Sequence, residues 1–500
     1  MPAGDSPLSD PREIERPGVE SSAAGEAPRR QALDYLLGRI DYERSVAVPY
    51  GEPQYRLDRM RDLLERLGRP DRKFPIVHVA GTKGKGSTSA LIAAALTACG
   101  ISCGLFTSPH LERLEERFVV DGRQCTGDEL AALVEQVKPI VAAMDAELAA
   151  REPPESGPTY FELTTAIALL HFAARGVAAA VLEVGMGGRL DSTNVCQSTI
   201  SVITSISLDH TKQLGDSLAQ IAWEKAGIIK PGVPVVSGVT APEALAVVER
   251  TAAERGCRLV QLGREFDFSY VPVNSNESAD PSGGVRGDAS SIDFHFHEFP
   301  RRVGGVAATI ADVRFGLLGK HQAANCAVAL AVLEELRRLH WNLPEHDVRR
   351  GLADLYWPAR VETIARAPTV VLDAAHNVAS VQALIETLDE CFAARKRILL
   401  FATTQEKDVA GMLRLALPKF DEVVLTRYLH NARCVPVAEL AGIAARTPHR
   451  NWRAAADPSE AWSIVHSLEP TRDDLVCIAG SFFIAAQMRS IAAARPLRPA

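Results

Sequence analysis

From residue 74 onward, short apolar runs alternate with longer segments of helical spacing. Phe74–Ala80 (F-P-I-V-H-V-A) is a β-rich run, followed by a Gly-rich turn and the Ala-rich helical segment Ser87–Ala98. Further strands are expected at Ile101–Phe106, Ala178–Val184, Ile200–Ser205 and Val233–Ser237. Helices are expected between them at Asp128–Ala150, Phe161–Ala174 and Ser217–Ala226. Strand–helix alternation of this kind predicts an α/β fold with a parallel sheet and crossover helices. The stretch Asp267–Ala311 breaks the pattern. It is polar and Gly/Ser-rich, and Ile292–Phe296 (I-D-F-H-F) alternates, so a loop plus an antiparallel ribbon is expected, with the polar insert centred on 267–305. Gln322–His340 reads as a strong helix. A second strand–helix series starts near Trp357, with strands at Val370–Asp373, Ile398–Ala402, Glu422–Thr426 and Leu475–Ala479.

The expected organisation is a disordered tail over 1–30, a first α/β domain over 31–355 and a smaller one over 356–500. Within the first, 31–67 alternates helical stretches with a Pro/Gly break at Pro49–Pro53. The 500-residue length suits two or three domains at roughly 100–200 residues each. The tail carries no apolar h-region. The most apolar stretch, Ala166–Val184, is interrupted by His171 and Arg175, so no membrane span is expected. The 55 basic and 62 acidic residues give a net charge of −7, which argues against nucleic-acid binding. Nine cysteines without a CxxC pair fit buried packing thiols in a reducing cytoplasm.

Chemistry concentrates at the expected strand ends. Ala80–Ser87 reads A-G-T-K-G-K-G-S between a strand and a helix. Glycines let backbone N–H groups wrap a phosphate, and the helix N-terminus adds positive potential. The spacing departs from G-x-x-x-x-G-K-[ST], because residue 79 is Val and Gly86 separates Lys85 from Ser87. Leu182–Asn194 (L-E-V-G-M-G-G-R-L-D-S-T-N) puts Glu183 at another strand end, where a carboxylate suits Mg²⁺ beside nucleotide phosphates. Ile203–His210 ends in Asp209 and His210, and Trp223–Lys230 (W-E-K-A-G-I-I-K) carries Lys225. Taken singly, these have ordinary readings: a salt-bridged Glu, a structural His, a surface Glu–Lys pair.

Taken in order, they resemble one family. G-T-K-G-K-G-S followed by Thr107-Ser108-Pro109-His110-Leu111 is similar to the folylpolyglutamate synthase and dihydrofolate synthase family of the Mur ligase superfamily. The likeness runs through some eight segments from about His78 to Phe483. It implies a P-loop-type parallel-sheet ATPase domain followed by a smaller Rossmann-like α/β domain. By that resemblance, Gly81, Thr82, Lys83, Gly84, Lys85, Gly86 and Ser87 cradle ATP. Ser108 and Glu183 hold one Mg²⁺ and His210 a second, beside a carbamylated Lys225. Phe161 and Glu162, in T-Y-F-E-L-T, match a segment near the pterin cleft, although the aromatic could equally be core. Gln322 and Asn325 (L-L-G-K-H-Q-A-A-N) match the segment that joins the domains at the nucleotide. Arg360 matches W-P-G-R, with Ala359 in place of Gly. Asp373 and His376 match D-G-A-H-N, with Ala374 in place of Gly, and Ser481 matches G-S-x-[YF] on the substrate side.

The implied activity is ATP-dependent ligation of L-glutamate to dihydropteroate or a reduced folate, with Lys85, Lys225 and His376 as catalytic groups and a monomeric cytoplasmic enzyme as the working form. Two other readings compete. A cell-wall-type ligase acting on a UDP-sugar peptide would carry K-T-T or K-T-S wording. A non-catalytic nucleotide-binding module would have lost Ser108, Glu183, His210 or Lys225, and all four are present.

Overall fold

The computed structural model describes residues 23–41, 57–272, 290–296, 308–405, 407–429, 431–448 and 451–497. Its first sheet has eight strands: β1 (Ile76–Ala80), β2 (Cys103–Phe106), β3 (Phe118–Val120), β4 (Arg123–Gln124), β5 (Ala179–Glu183), β6 (Ile200–Ile203), β7 (Val235–Ser237) and β8 (Leu259–Gln261). Their spatial order is β4-β3-β2-β5-β1-β6-β7-β8. Six are parallel, and β3 and β4 close one edge antiparallel. Every residue of β1 and β5 is buried, as expected where helices cover both sheet faces. One face packs against helices Lys85–Ala98 and Lys320–Arg338, the other against Gly127–Ala149 and Tyr160–Arg175.

In β1, the partner of Val79 is Glu183 on one side and Val202 on the other. The carboxyl ends of β1, β5 and β6 therefore open side by side. In open α/β sheets this is where ligands bind.

The polar segment after β8 forms a three-stranded antiparallel sheet: β9 (Phe266–Val271), β10 (Ser290–Phe296) and β11 (Ala308–Phe315). The alternation in I-D-F-H-F points Ile292, Phe294 and Phe296 inward with Phe266, Val313 and Phe315. This ribbon belongs to the main core over helix Lys320–Arg338. Segments 273–289 and 297–307 lie outside the described residues.

The second sheet contains β12 (Glu362–Arg366), β13 (Thr369–Leu372), β14 (Arg397–Phe401), β15 (Glu422–Leu425), β16 (Trp452–Ala454) and β17 (Leu475–Ala479), ordered β12-β13-β17-β14-β15-β16. All neighbours are parallel except β12 with β13. β12 and β16 carry little apolar sequence, and β8 is only three residues long. Pattern alone gave no reason to expect them.

One expectation needs correction. The tail reading over 1–30 overlaps a helix, Ala23–Leu37. Ala32 and Leu36, one turn apart, are fully buried against the Gly127–Ala149 layer. Arg29 pairs with the buried Glu115 carboxylate, Nη2 to Oε2 at 3.1 Å. Burial of this stripe outweighs a composition that reads as disordered. Residues 1–22 and the Pro49–Pro53 break lie outside the described residues.

Candidate active site

The Gly-rich turn after β1, the expected phosphate loop, is fixed by contacts a larger residue would break. Gly84 caps helix Lys85–Ala98 with φ +82°, and a Cβ there would sit 2.0 Å from Asn325 Oδ1. A Cβ on Gly81 would meet Thr204 Oγ1 at 1.9 Å. The hydroxyls of Thr204 and Ser205 donate to the Lys83 carbonyl at 2.7 and 3.0 Å. These bonds turn the loop so that the helix N-terminus and the Lys85 side chain face a cavity of about 650 Å³ between the two sheets.

That cavity collects the residues singled out above. Glu183 enters from the end of β5, its Oε2 accepting from the Ser108 N–H at 3.1 Å, with Lys85 Nζ 3.9 Å from Oε1. Burial raises the Glu183 pKa, and Lys85 opposes the rise. Lys225 comes from helix Leu218–Ala226 and donates to the Gly81 carbonyl at 2.9 Å. It is 4% exposed, and burial with Lys85 nearby pulls its pKa down to about 7. His210 lines the same wall and caps the short helix Thr211–Leu214 with φ +51°.

From the second domain come Arg360, Asp373, His376 and Ser481. Arg360 stacks on Phe482, 4.8 Å from the ring centroid. Asp373 accepts from the N–H groups of Val361 (2.8 Å) and Ala375 (2.7 Å), which tethers the arginine loop to the end of β13. His376 donates through Nδ1 to the Ala374 carbonyl at 2.9 Å, which leaves Nε2 to accept from Lys83 Nζ at 3.0 Å. Burial and Lys83 hold its pKa well below the ordinary value, so the ring is neutral.

Some candidates already hold structural partners. Glu162 Oε2 accepts from the Thr159 N–H at 2.8 Å and from Arg59 Nε at 2.9 Å. The residue the cleft gains through this pair is Arg59. Phe161 packs under Gly185, where a Cβ would meet its ring at 2.4 Å. Ser481 Oγ caps helix Phe482–Ala494, accepting from the Ile484 N–H at 3.1 Å. Gln322 Oε1 accepts from Asn325 Nδ2 at 2.9 Å, which orients Asn325 against the phosphate loop.

Sequence reasoning missed Lys407. It follows β14 and reaches across the cleft to Asp209 at 2.7 Å. Its position in the loop after an expected strand was the available signal.

Comparison with known proteins decides the family. The Mur ligase middle domain matches residues 79–333, and the Mur ligase glutamate ligase domain matches 359–482. A Bacillus subtilis dihydrofolate synthase/folylpolyglutamate synthase is 35% identical over 439 residues, 87% of this chain and 94% of the relative. The chain belongs to the folylpolyglutamate synthase/dihydrofolate synthase family of Mur ligases. A Mycobacterium tuberculosis dihydrofolate synthase/folylpolyglutamate synthase is 34% identical, covering 85% of this chain and 84% of its own length. The structure of M. tuberculosis folylpolyglutamate synthase complexed with ADP and AMPPCP matches with a TM-score of 0.80 at 32% identity, over 93% of this chain and 98% of that one. Against the wording W-P-G-R of this folylpolyglutamate synthase family, Ala359 keeps the backbone a glycine would favour, with φ +53°. Ala374 has no such requirement, since its φ is not positive.

Proposed function

We propose that this chain is an ATP-dependent carboxylate–amine ligase that adds L-glutamate to dihydropteroate, to a reduced folate, or to both. The observation that carries the reading is the position of the phosphate loop. It faces Arg360, Asp373 and His376 of the second domain across one cavity. A matching folylpolyglutamate synthase structure holds AMPPCP and folate, at 28% identity and a TM-score of 0.74.

The chemistry follows in two steps. A substrate carboxylate oxygen attacks the γ-phosphorus of ATP, giving an acyl phosphate and ADP. The amine of glutamate then attacks the acyl carbon, and the tetrahedral intermediate expels phosphate. Phosphoryl transfer depends on positioning and charge neutralisation more than on covalent help. The loop N–H groups and Lys85 hold the phosphates. Arg360 brings a delocalised cation from the second domain. His376, neutral at Nε2, offers an acceptor beside Lys83. Closure of the two domains over the cavity keeps water from the acyl phosphate.

The hard oxygen donors Ser108 and Glu183 fit Mg²⁺, and His210 lies on the wall where a second ion would sit. Mg²⁺ bound there supplies charge neutralisation to the phosphates. Lys225 has the burial and lowered pKa that carbamylation by CO₂ requires, since only the neutral amine is nucleophilic.

Phosphate release with Mg-ATP, L-glutamate and one acceptor at a time tests the reading. Turnover is expected with dihydropteroate, tetrahydrofolate or both, and which acceptors work sets mono- against bifunctionality. Turnover with a UDP-sugar peptide alone would overturn it.

A further inference from the structure

Away from the cleft, three side chains of different chemistry converge at the far end of the substrate-side helix. Cys125 lies just before helix Gly127–Ala149, Glu129 is in that helix's first turn, and His171 is on helix Tyr160–Arg175. One ligand atom from each lies within 4.8 Å of the other two, the sole such group among the described residues. Cys125 is 3% and His171 4% exposed. Glu129 is half-buried at the rim.

Existing bonds do not account for the cluster. Cys125 Sγ makes one weak contact, 3.4 Å to the Thr126 carbonyl. No hydrogen bond to the His171 ring occurs among the described residues. Glu129 accepts from the Thr126 N–H at 2.8 Å and from Arg175 at 3.1 Å, one bond on each oxygen, and a carboxylate has lone pairs beyond these. The imidazole and the thiol lie side by side at little-exposed positions with bonding capacity to spare, a pairing that suits an ion that binds sulfur and nitrogen together.

We propose that Cys125, Glu129 and His171 form a second metal site, specific for a thiophilic divalent ion of the Zn²⁺ class and separate from the catalytic cleft. Sulfur, nitrogen and carboxylate oxygen is the mixed donor set that Zn²⁺ accepts in tetrahedral geometry, with water in the fourth position at the exposed rim. Mg²⁺, which prefers oxygen ligands throughout, does not compete. Binding releases the thiol proton to solvent as the metal–sulfur bond forms. Thiolate and carboxylate then neutralise the two positive charges. Glu162, in the first turn of the helix that carries His171, is nine residues away, or about 13 Å along the axis. The ion would tie the ends of two helices together without touching substrate.

Cobalt titration of the full-length, metal-stripped protein tests this in the presence of excess Mg²⁺. One equivalent of Co²⁺ should give a sulfur-to-cobalt charge-transfer band, which the oxygen donors of the cleft cannot produce. Zn²⁺ should displace it and raise Tm. Cys125→Ser should abolish the band, and His171→Gln should weaken Co²⁺ binding at least tenfold, both variants keeping ligase turnover as proof of folding. No band in the wild-type protein would overturn the site. So would a band that survives Cys125→Ser, since eight other cysteines could then supply the sulfur.

Discussion

Lys407 Nζ lies 2.7 Å from Asp209 Oδ1, and Lys83 Nζ lies 2.8 Å from Oδ2 of the same carboxylate. One lysine belongs to the loop after β14 and the other to the phosphate loop. Asn377 Nδ2 adds a bond to Oδ2 at 3.3 Å. A single carboxylate thus links the second domain to the Gly-rich turn after β1. Burial works against the charge on Asp209, yet Lys83 and Lys407 hold its pKa far below the ordinary value.

Lys407→Met should weaken this link without exposing a lone charge, because Lys83 still neutralises Asp209. Removing one partner of a buried pair costs roughly 3–5 kcal/mol when the other charge is left unpaired; with Lys83 still on Asp209 the cost here should be about 1–2 kcal/mol. The expected result is a small fall in the urea midpoint and a larger fall in kcat/KM for ATP. Unchanged kinetics in a protein of unchanged stability would show that the link is incidental to closure.

Ala359 and Val361 both adopt left-handed backbone, at φ +53° and +51°, on either side of Arg360. Left-handed conformation costs an L-residue roughly 1–2 kcal/mol, and glycine avoids that cost while losing about 0.5–1 kcal/mol through a freer unfolded chain. Both methyls are buried in one apolar cluster, so deleting either costs a further ~0.8 kcal/mol. Ala359→Gly should therefore be near neutral, whereas Ala374→Gly, without the left-handed backbone, should destabilise the protein by about 1–2 kcal/mol. Denaturant melts of the two variants check the contrast, and equal destabilisation would show that the strain is not felt.

Much of this was legible in the chain. β1, β5 and β6 are near-continuous apolar runs because both sheet faces are covered; Glu183 ends β5, and the Asp209–His210 pair lies in the segment after β6. Motif order then gathered Lys85, Lys225, Arg360 and His376 into a group that pattern alone could not assemble. What stayed hidden has physical causes. Arg59 reaches the cleft through a buried ion pair with Glu162, and long-range pairing leaves no local signature. The Ala23–Leu37 helix is held by burial of Ala32 and Leu36 rather than by propensity. Cys125, Glu129 and His171 are brought together by the packing of two helices, which spacing along the chain does not reveal.

Glu183→Gln should separate function from stability. The carboxylate is 4% exposed, and its raised pKa means that the folded state binds its proton more tightly than the unfolded chain. Such a group lowers stability at neutral pH, and the penalty fades as pH falls through the folded pKa. The amide removes the penalty and the hard anionic donor together. Expected are a Tm equal to or above wild type and ligation reduced at least ~10²-fold. Lys85→Ala should lose turnover similarly without unfolding. Wild-type-like turnover in either variant would refute the site assignment.

Lys225 is expected to govern the pH dependence. Its pKa is pulled to about 7 from an ordinary value of 10.5, first by burial and then by Lys85. Below pH 7 the side chain is an ammonium in folded and unfolded chains alike, and its burial penalty is fully present. Between about 7 and 10.5 the folded protein releases the proton while the unfolded chain keeps it, so this group makes stability rise with pH. If Lys225 is carbamylated as proposed, the same window supplies the neutral amine for reaction with CO₂. Ligase activity in bicarbonate buffer should therefore climb as pH rises through about 7, and depletion of CO₂ should lower it. Lys225→Ala should lose both dependences, with partial rescue by a short carboxylic acid that can occupy the vacated space. A wild-type profile flat across pH 6–8, or indifference to CO₂, would assign Lys225 only its observed role of holding the Gly81 carbonyl.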